Sequence, residues 1–177
     1  MEPERDAAGL LSELKAGKPA ALTVVYKQYS GLVYRIAFQL TESAADAGDV
    51  TQDVFIGLPE ALSSLTQPAK LEQWLRQTAA RNSLMRLRQR RRRREVSVAL
   101  LQGLFARADP VLTRVELENA ISQLPEPLRL VFILRELEGF TYAEIAETLG
   151  IRQGLAEVRL YRARKRLRKS LSGNVQA

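Results

Sequence analysis

The sequence predicts an all-α protein of two small helical domains joined by a linker, with a helix-turn-helix in a four-helix C-terminal domain. Apolar residues recur three and four positions apart along most of the 177 residues, and no useful length alternates as a strand would. Glycine and proline separate the periodic segments, where short helices should end. The predicted boundaries are residues 1–94 for the first domain, 95–110 for the linker and 111–177 for the second domain.

Composition and charge narrow the classes of function. The chain has no cysteine or histidine, which removes thiolate nucleophiles, imidazole bases and the usual zinc ligands. We therefore expect no enzyme, no metal and no cofactor. The net charge of +7 is uneven, because residues 1–60 hold five basic against nine acidic residues, whereas residues 76–94 hold nine arginines. A basic surface attracts phosphate and an acidic one suits a protein partner.

No leader or membrane segment is predicted. The N-terminus lacks a signal-peptide pattern, and no apolar run approaches the ~20 residues that span a bilayer. We expect a cytoplasmic protein without membrane insertion.

The N-terminal segment, residues 3–40, is predicted to form two or three short helices that pack on one another. Its apolar residues have helical spacing, and Gly17, Pro19 and Gly31 interrupt them. Burial in a core accounts for the apolar pattern of this segment, and we assign no functional residue to it.

The next helix begins at a predicted capping box formed by Ser43 and Asp46. Gly57 and Pro59 are poor helix residues, so a kink or an early end is expected between Phe55 and Pro59. Three carboxylates share a side of this helix apart from its apolar residues: Asp46, Asp49 and Asp53. They are either a solvated face or a surface for a basic partner.

An exposed loop is predicted over Ser63–Lys70, followed by a helix that runs into the arginine block Arg88–Arg94. Trp74 on this helix suits either a core position or stacking on an unpaired base. The segment 95–110 is too apolar for an ordinary flexible linker, so part of it should pack on something. Four helices follow within residues 111–171.

The stretch Thr141–Lys169 predicts the helix-turn-helix. Thr141 and Glu144 form a capping box, Gly150 permits a tight turn, and a second helix starts near Arg152. Its apolar stripe is Ala156, Leu160, Ala163 and Leu167. Basic residues lie mostly off this stripe, so DNA binding is favoured over a merely amphipathic core helix.

Three motifs, in order, resemble a known family. They are ADAGDVTQDVF (45–55), LEQWLRQTAARNSLMRLRQRRRR (71–93), and LPEPLRLVFILRELEGFTYAEIAETLGI (124–151) with RLYRARKRLR (159–168). They resemble the small two-domain sigma factors of bacterial RNA polymerase, the extracytoplasmic-function (ECF) group. The resemblance implies a transcription initiation factor that binds core RNA polymerase, recognises and melts promoter DNA, and has an anti-sigma factor as a further partner.

The resemblance also implies binding residues for each partner. The surface for polymerase comprises Asp46, Asp49, Gln52, Asp53 and Phe55. The residues for the proximal, minus-ten promoter element are Ser64, Gln67, Lys70, Gln73, Trp74, Arg76, Arg81, Asn82 and Arg88. Those for the distal, minus-thirty-five element are Arg152, Gln153, Leu155, Glu157, Val158, Arg159, Arg162, Arg164 and Lys165.

The chain departs from the family pattern in the helix expected to read DNA. Leu155 and Val158 could contact thymine methyls, whereas Glu157 could accept from a cytosine amine or repel a phosphate. Pro59 stands where the family commonly has a bulky aromatic residue.

Two alternatives stay open: a sigma-like DNA-binding regulator that does not engage polymerase, and a mimic that sequesters an anti-sigma factor. A nuclease using aspartates and a metal is more remote, because Asp46, Asp49 and Asp53 do not converge.

Overall fold

The computed structural model of the chain describes the backbone of residues 7–97 and 114–173, and the side chains of residues 9–92 and 117–171. The chain divides into two compact units, 1–95 and 96–177. Every element within the described ranges is helical, which confirms the predicted all-α fold of two domains. Most of the predicted linker lies outside the described residues.

Unit 1 contains four helices in the part that the structure describes. They are α1 (Ala7–Lys15), α2 (Pro19–Thr41), α3 (Ala44–Ala61) and α4 (Pro68–Ser97). The break between α1 and α2 follows the predicted signals, since Gly17 adopts a left-handed φ of 70° and Pro19 stands in the first turn of α2. Gly31 does not interrupt α2, so the structure has two of the predicted two or three helices, and the second is 23 residues long instead of short.

α3 begins as predicted but ends later. The Ser43 hydroxyl accepts from the Asp46 backbone N–H at 3.2 Å, whereas the Asp46 carboxylate binds Arg90 rather than completing a capping box. The helix continues through Pro59 to Ala61, so the expected early end was wrong. Burial of Phe55 and Leu58 holds this last turn, where proline removes only one backbone hydrogen bond.

α4 begins at Pro68, inside the segment predicted to be a loop, and Leu65 in that segment is buried. The buried face of α4 consists of Leu71, Leu75, Ala79, Ala80, Ser83 and Leu84. Met85 is exposed on this helix. The helix extends to Ser97 and so includes the arginine block and the first residues of the predicted linker.

Unit 2 contains four helices, as the sequence predicted, in the part of it that the structure describes. They are α5 (Arg114–Ser122), α6 (Glu126–Phe132), α7 (Tyr142–Leu149) and α8 (Gln153–Gly173). A π-helical turn that the sequence did not predict, Ile133–Leu137, continues α6. α8 packs against α5, α6 and α7 and is therefore the central element of this unit.

No helix within residues 7–97 and 114–173 is both long enough and apolar enough to cross a membrane.

Candidate DNA and polymerase surfaces

The helix-turn-helix is built from local signals that the sequence shows. The Thr141 hydroxyl accepts from the Glu144 backbone N–H at 3.2 Å, and the Thr141 backbone N–H donates to Glu144 Oε2 at 2.8 Å. This is the predicted capping box. Gly150 ends α7 with a φ of 67°, and Ile151 N–H donates to Ala146 O at 3.0 Å. The turn therefore fixes the direction in which α8 leaves α7.

One face of α8 is buried from Ala156 to Leu167. The four residues of the predicted stripe are all within the core: Ala156, Leu160, Ala163 and Leu167. Since this stripe sets the rotation of α8 about its axis, the opposite residues must point to solvent. That outward face carries most residues predicted for the distal promoter element.

The N-terminal segment of α8, Gln153–Val158, combines apolar and acidic side chains on the outward face. Leu155 is 41% exposed and Val158 44% exposed. Glu157 is exposed, and its Oε1 accepts from Gln153 Nε2 at 3.3 Å. We name these residues the reading segment.

The cations that follow the reading segment differ in their surroundings. Arg162 and Lys165 are exposed, and Arg159 is half-buried. Together with Pro125, Pro127, Leu128 and Leu155 they border an open groove beside α6. Arg152, at the start of α8, is also exposed.

Arg164 has a partner that the sequence did not reveal. Its Nη2 donates to Oε1 of Glu136, in the π-helical turn, at 2.6 Å. The neighbouring Arg135 donates to Phe140 O at 2.8 Å and lies 4.8 Å from the centroid of the Tyr142 ring. Two consecutive residues of the π-helical turn thus hold the start of α7 and the middle of α8.

The acidic residues of α3 bind arginines of α4. Arg86 Nη1 donates to Asp49 Oδ2 at 2.7 Å, and Arg86 Nη2 donates to Asp53 Oδ2 at 2.9 Å. Arg90 Nη1 donates to Asp46 Oδ2 at 3.0 Å and to the carbonyl of Thr41 at 3.2 Å. We name the set Asp46, Asp49, Asp53, Arg86 and Arg90 the clamp.

The clamp changes the electrostatics of both helices. The hydrogen bond to Asp53, followed by that to Asp49, raises the pKa of the Arg86 guanidinium above its ordinary value. Each aspartate uses its Oδ2 atom in these bonds. Asp49 and Asp53 nevertheless remain exposed, so a second cation can still approach them.

A shallow apolar groove lies between α2 and α3. It measures about 510 Å³ and is lined by Leu22, Thr23, Tyr26, Gln52, Phe55, Ile56 and Pro59. We name it the Gln52 groove. Ile56 is 75% exposed at its edge, while Phe55 is buried and makes an edge contact with Tyr26, with ring centroids 4.9 Å apart. Ile56 was not predicted from the sequence as a surface contact residue, although an isoleucine that lies off the apolar face of α3 indicates an exposed apolar site.

The residues predicted for the proximal element lie on α4 and the turn before it. Trp74, Arg76 and Asn82 are half-buried, so Trp74 is neither a full core residue nor a free stacking platform. The exposed residues of this set are Ser64, Gln67, Lys70, Gln73, Arg81 and Arg88. Among the bonds that these residues make, Ser64 Oγ donates to Ala61 O at 2.7 Å and Arg76 Nε to Glu72 Oε1 at 3.0 Å.

Two helical units, one of which carries a basic helix in a helix-turn-helix, are typical of a DNA-binding transcription factor. Family models agree: "Sigma-70 region 2" matches residues 25–93 and "Sigma-70, region 4" matches residues 114–167. The chain belongs to the ECF sigma factors of bacterial RNA polymerase, as its motifs indicated, and is thus a transcription initiation factor.

Relatives resemble the chain over nearly its whole length. ECF RNA polymerase sigma factor SigL of Mycobacterium tuberculosis is 31% identical over 170 residues, which cover 91% of this chain and 94% of the relative. ECF RNA polymerase sigma factor SigE of Mycolicibacterium smegmatis is 28% identical over 183 residues, covering 97% of this chain and 71% of the relative. Such relatives favour an initiation factor over the regulator and the mimic.

Among solved structures, the sigma factor RpoE of Bartonella quintana, in complex with the anti-sigma factor NepR, has a similar fold. The TM-score is 0.64 and the identity 22%, with 85% of this chain and 96% of that chain covered.

Proposed function

We propose that the chain binds core RNA polymerase and directs it to promoters, with one unit at each promoter element. Residues 1–94 engage polymerase and the proximal element, residues 111–177 engage the distal element, and residues 95–110 join them. The observation that carries this proposal is the seating of α8, whose buried stripe turns the reading segment and a row of cations outward.

At the distal element, α8 lies in the major groove and divides its work between two sets of residues. The reading segment contacts base edges, because the N-terminal end of a recognition helix is the part that reaches them. Arg152, Arg159, Arg162 and Lys165 contact phosphates, which gives affinity without sequence choice. Arg164 contributes less grip, since Glu136 already neutralises part of its charge.

At polymerase, the contact surface is the Gln52 groove together with the clamp. Exposed Ile56 and Gln52 supply an apolar contact and an amide, and the exposed carboxylates of Asp49 and Asp53 face a basic partner. Phe55 supports this surface from beneath through its contact with Tyr26.

At the proximal element, α4 offers cations to the DNA backbone and Trp74 to a base. Arg81 and Arg88 are exposed on α4, and Gln73 is exposed close to half-buried Trp74. An unpaired base that stacks on an aromatic side chain recovers part of the energy lost on melting, a few kcal/mol per base. α4 therefore helps polymerase to keep the strands apart.

The chain needs no catalytic group of its own, because polymerase performs the chemistry. Its place of action is the cytoplasm, where polymerase and chromosome are found. An anti-sigma factor is a further partner, as in the Bartonella complex.

Run-off transcription with purified core polymerase and a pool of promoter fragments tests the proposal. We expect transcripts from a subset of fragments only when the chain is present, and co-elution of the chain with core polymerase in gel filtration. Ile56→Asp should abolish co-elution, whereas the control Tyr161→Asp makes the same kind of change on an exposed residue of α8 and should not. The proposal would be refuted if the wild-type chain gave no transcripts and did not co-elute with core polymerase.

A further inference from the structure

The single acidic residue of α8 lies where the helix is expected to meet bases. The sequence of α8 contains Glu157 and, after it, seven basic residues: Arg159, Arg162, Arg164, Lys165, Arg166, Arg168 and Lys169. A carboxylate beside these basic residues weakens their attraction to phosphate, so the presence of Glu157 at this position has to be explained.

Helix stabilisation does not supply that reason. Acidic residues stabilise a helix within its first turn, near the positive end of the macrodipole, and the effect falls off beyond it. The first turn of α8 contains no acidic residue, and Glu157 comes just after it.

The geometry holds Glu157 toward the outward face. Gln153, one turn earlier, donates from Nε2 to Glu157 Oε1 at 3.3 Å and leaves Oε2 as an acceptor. Between them, Gly154 does not have a left-handed backbone, and a Cβ there would meet no atom within 4 Å apart from its chain neighbours and the adjacent backbone of α8. Since neither packing nor conformation requires glycine there, the missing side chain leaves room for a DNA edge to approach.

We propose that Glu157 selects cytosine in the distal promoter element by accepting a hydrogen bond from the N4 amino group, with Gln153 as its positioning residue. This inference rests on the proposed function and names the base that the reading segment prefers. Cytosine presents only a donor in the major groove, guanine and thymine present acceptors that repel a carboxylate, and adenine places an acceptor beside its donor. Exposed Leu155 and Val158 suit thymine methyl groups at neighbouring base pairs.

The test uses the full-length chain and promoters whose distal element is randomised while the proximal element is fixed. The pool is sequenced after selection with holoenzyme for initiation and, separately, after binding to the chain alone at low salt. The second arm reads base choice without polymerase, so failure of initiation counts against the proposed function only.

The wild-type chain should enrich cytosine at one position of the distal element in the duplex arm. Glu157→Ala should reduce that preference at least about fivefold, the low end for a specific base contact. Glu157→Gln should shift the preference from cytosine toward adenine, because an amide can pair with adenine. Gln153→Ala should weaken the preference for cytosine without creating a preference for another base. Glu118→Gln, the same change of charge on α5, should leave it unaltered.

Two results would overturn the inference. One is a wild-type pool without cytosine enrichment at any distal position. The other is an enrichment that Glu157→Ala and Glu157→Gln leave unchanged while both variants melt, by circular dichroism, within a degree or so of wild type.

Discussion

Replacing Arg86 with alanine should destabilise unit 1, because Arg86 joins two carboxylates of α3 to α4. The two N–O distances are 2.7 and 2.9 Å. The Arg86 side chain is 29% exposed, and those of Asp49 and Asp53 are 54% and 50% exposed, so solvent screens both pairs. Exposed pairs contribute ~0.2–1 kcal/mol each. We therefore expect a loss of about 0.5–2 kcal/mol.

Urea denaturation followed by fluorescence measures this loss. The chain has one tryptophan, Trp74 on α4, so its emission reports on unit 1 within the full-length protein. A 1 kcal/mol loss in a unit of this size corresponds to roughly 4–8 °C in Tm. Arg88→Ala is the matched control, since it removes an exposed arginine two positions away and should change stability by less than about 0.5 kcal/mol.

The salt and pH dependence of this stability loss distinguishes the ion pairs of the clamp from ordinary packing. The difference between Arg86→Ala and wild type should shrink from 0.05 to about 0.5 M NaCl, because salt screens exposed pairs. A raised pKa for Arg86 in the folded state means that its stabilisation is complete below the pKa of the unfolded state and is lost as the pH rises through the higher pKa of the folded state, both in strongly alkaline solution. The difference should hence stay constant from about pH 7 to 10. Equal losses for Arg86→Ala and Arg88→Ala would show that the ion pairs of the clamp do not stabilise unit 1.

Three further predictions concern unit 2. Thr141→Ala removes the side-chain half of the α7 capping box and should cost about 1 kcal/mol in the thermal unfolding of unit 2; an unchanged Tm would count against the cap. Gly150→Ala forces a side chain into a left-handed conformation and should cost about 1 kcal/mol or more by the same measurement, unless the turn relaxes. Glu136→Gln should free Arg164 for phosphate and steepen the dependence of duplex affinity on log salt by up to about one unit, measured by fluorescence anisotropy; a slope equal to wild type would show that the pair does not limit Arg164.

Sequence alone was sufficient where a signal lies within a few neighbouring residues. The capping box at Thr141, the turn at Gly150 and the stripe of α8 depend on spacings of three to four residues, and the structure has each of them. Local propensity failed where tertiary burial outweighed it. Gly31 and Pro59 disfavour helix, yet α2 and α3 continue past them, with Val33 and Leu58 buried close by.

Long-range pairing was beyond the reach of sequence patterns. The aspartates of α3 were expected to be either a solvated face or a surface for a basic partner, and their bonds to Arg86 were not foreseen, because Arg86 lies 33 and 37 residues from Asp53 and Asp49 and no spacing rule connects them. The bond between Glu136 and Arg164 spans 28 residues and depends on the π-helical turn, which has no signal in the sequence. The roles of the surface residues, which follow from the resemblance, remain predictions.

Permanganate reactivity on a promoter recovered from the pool measures promoter opening itself, because permanganate detects thymines that have left the stacked duplex. We expect reactive thymines at the proximal element only when the chain and core polymerase are both present. They should be lost with Ile56→Asp, which blocks docking on polymerase. Reactivity with core polymerase alone, or none with both proteins bound to the promoter, would contradict the claim that this chain directs polymerase to open promoters.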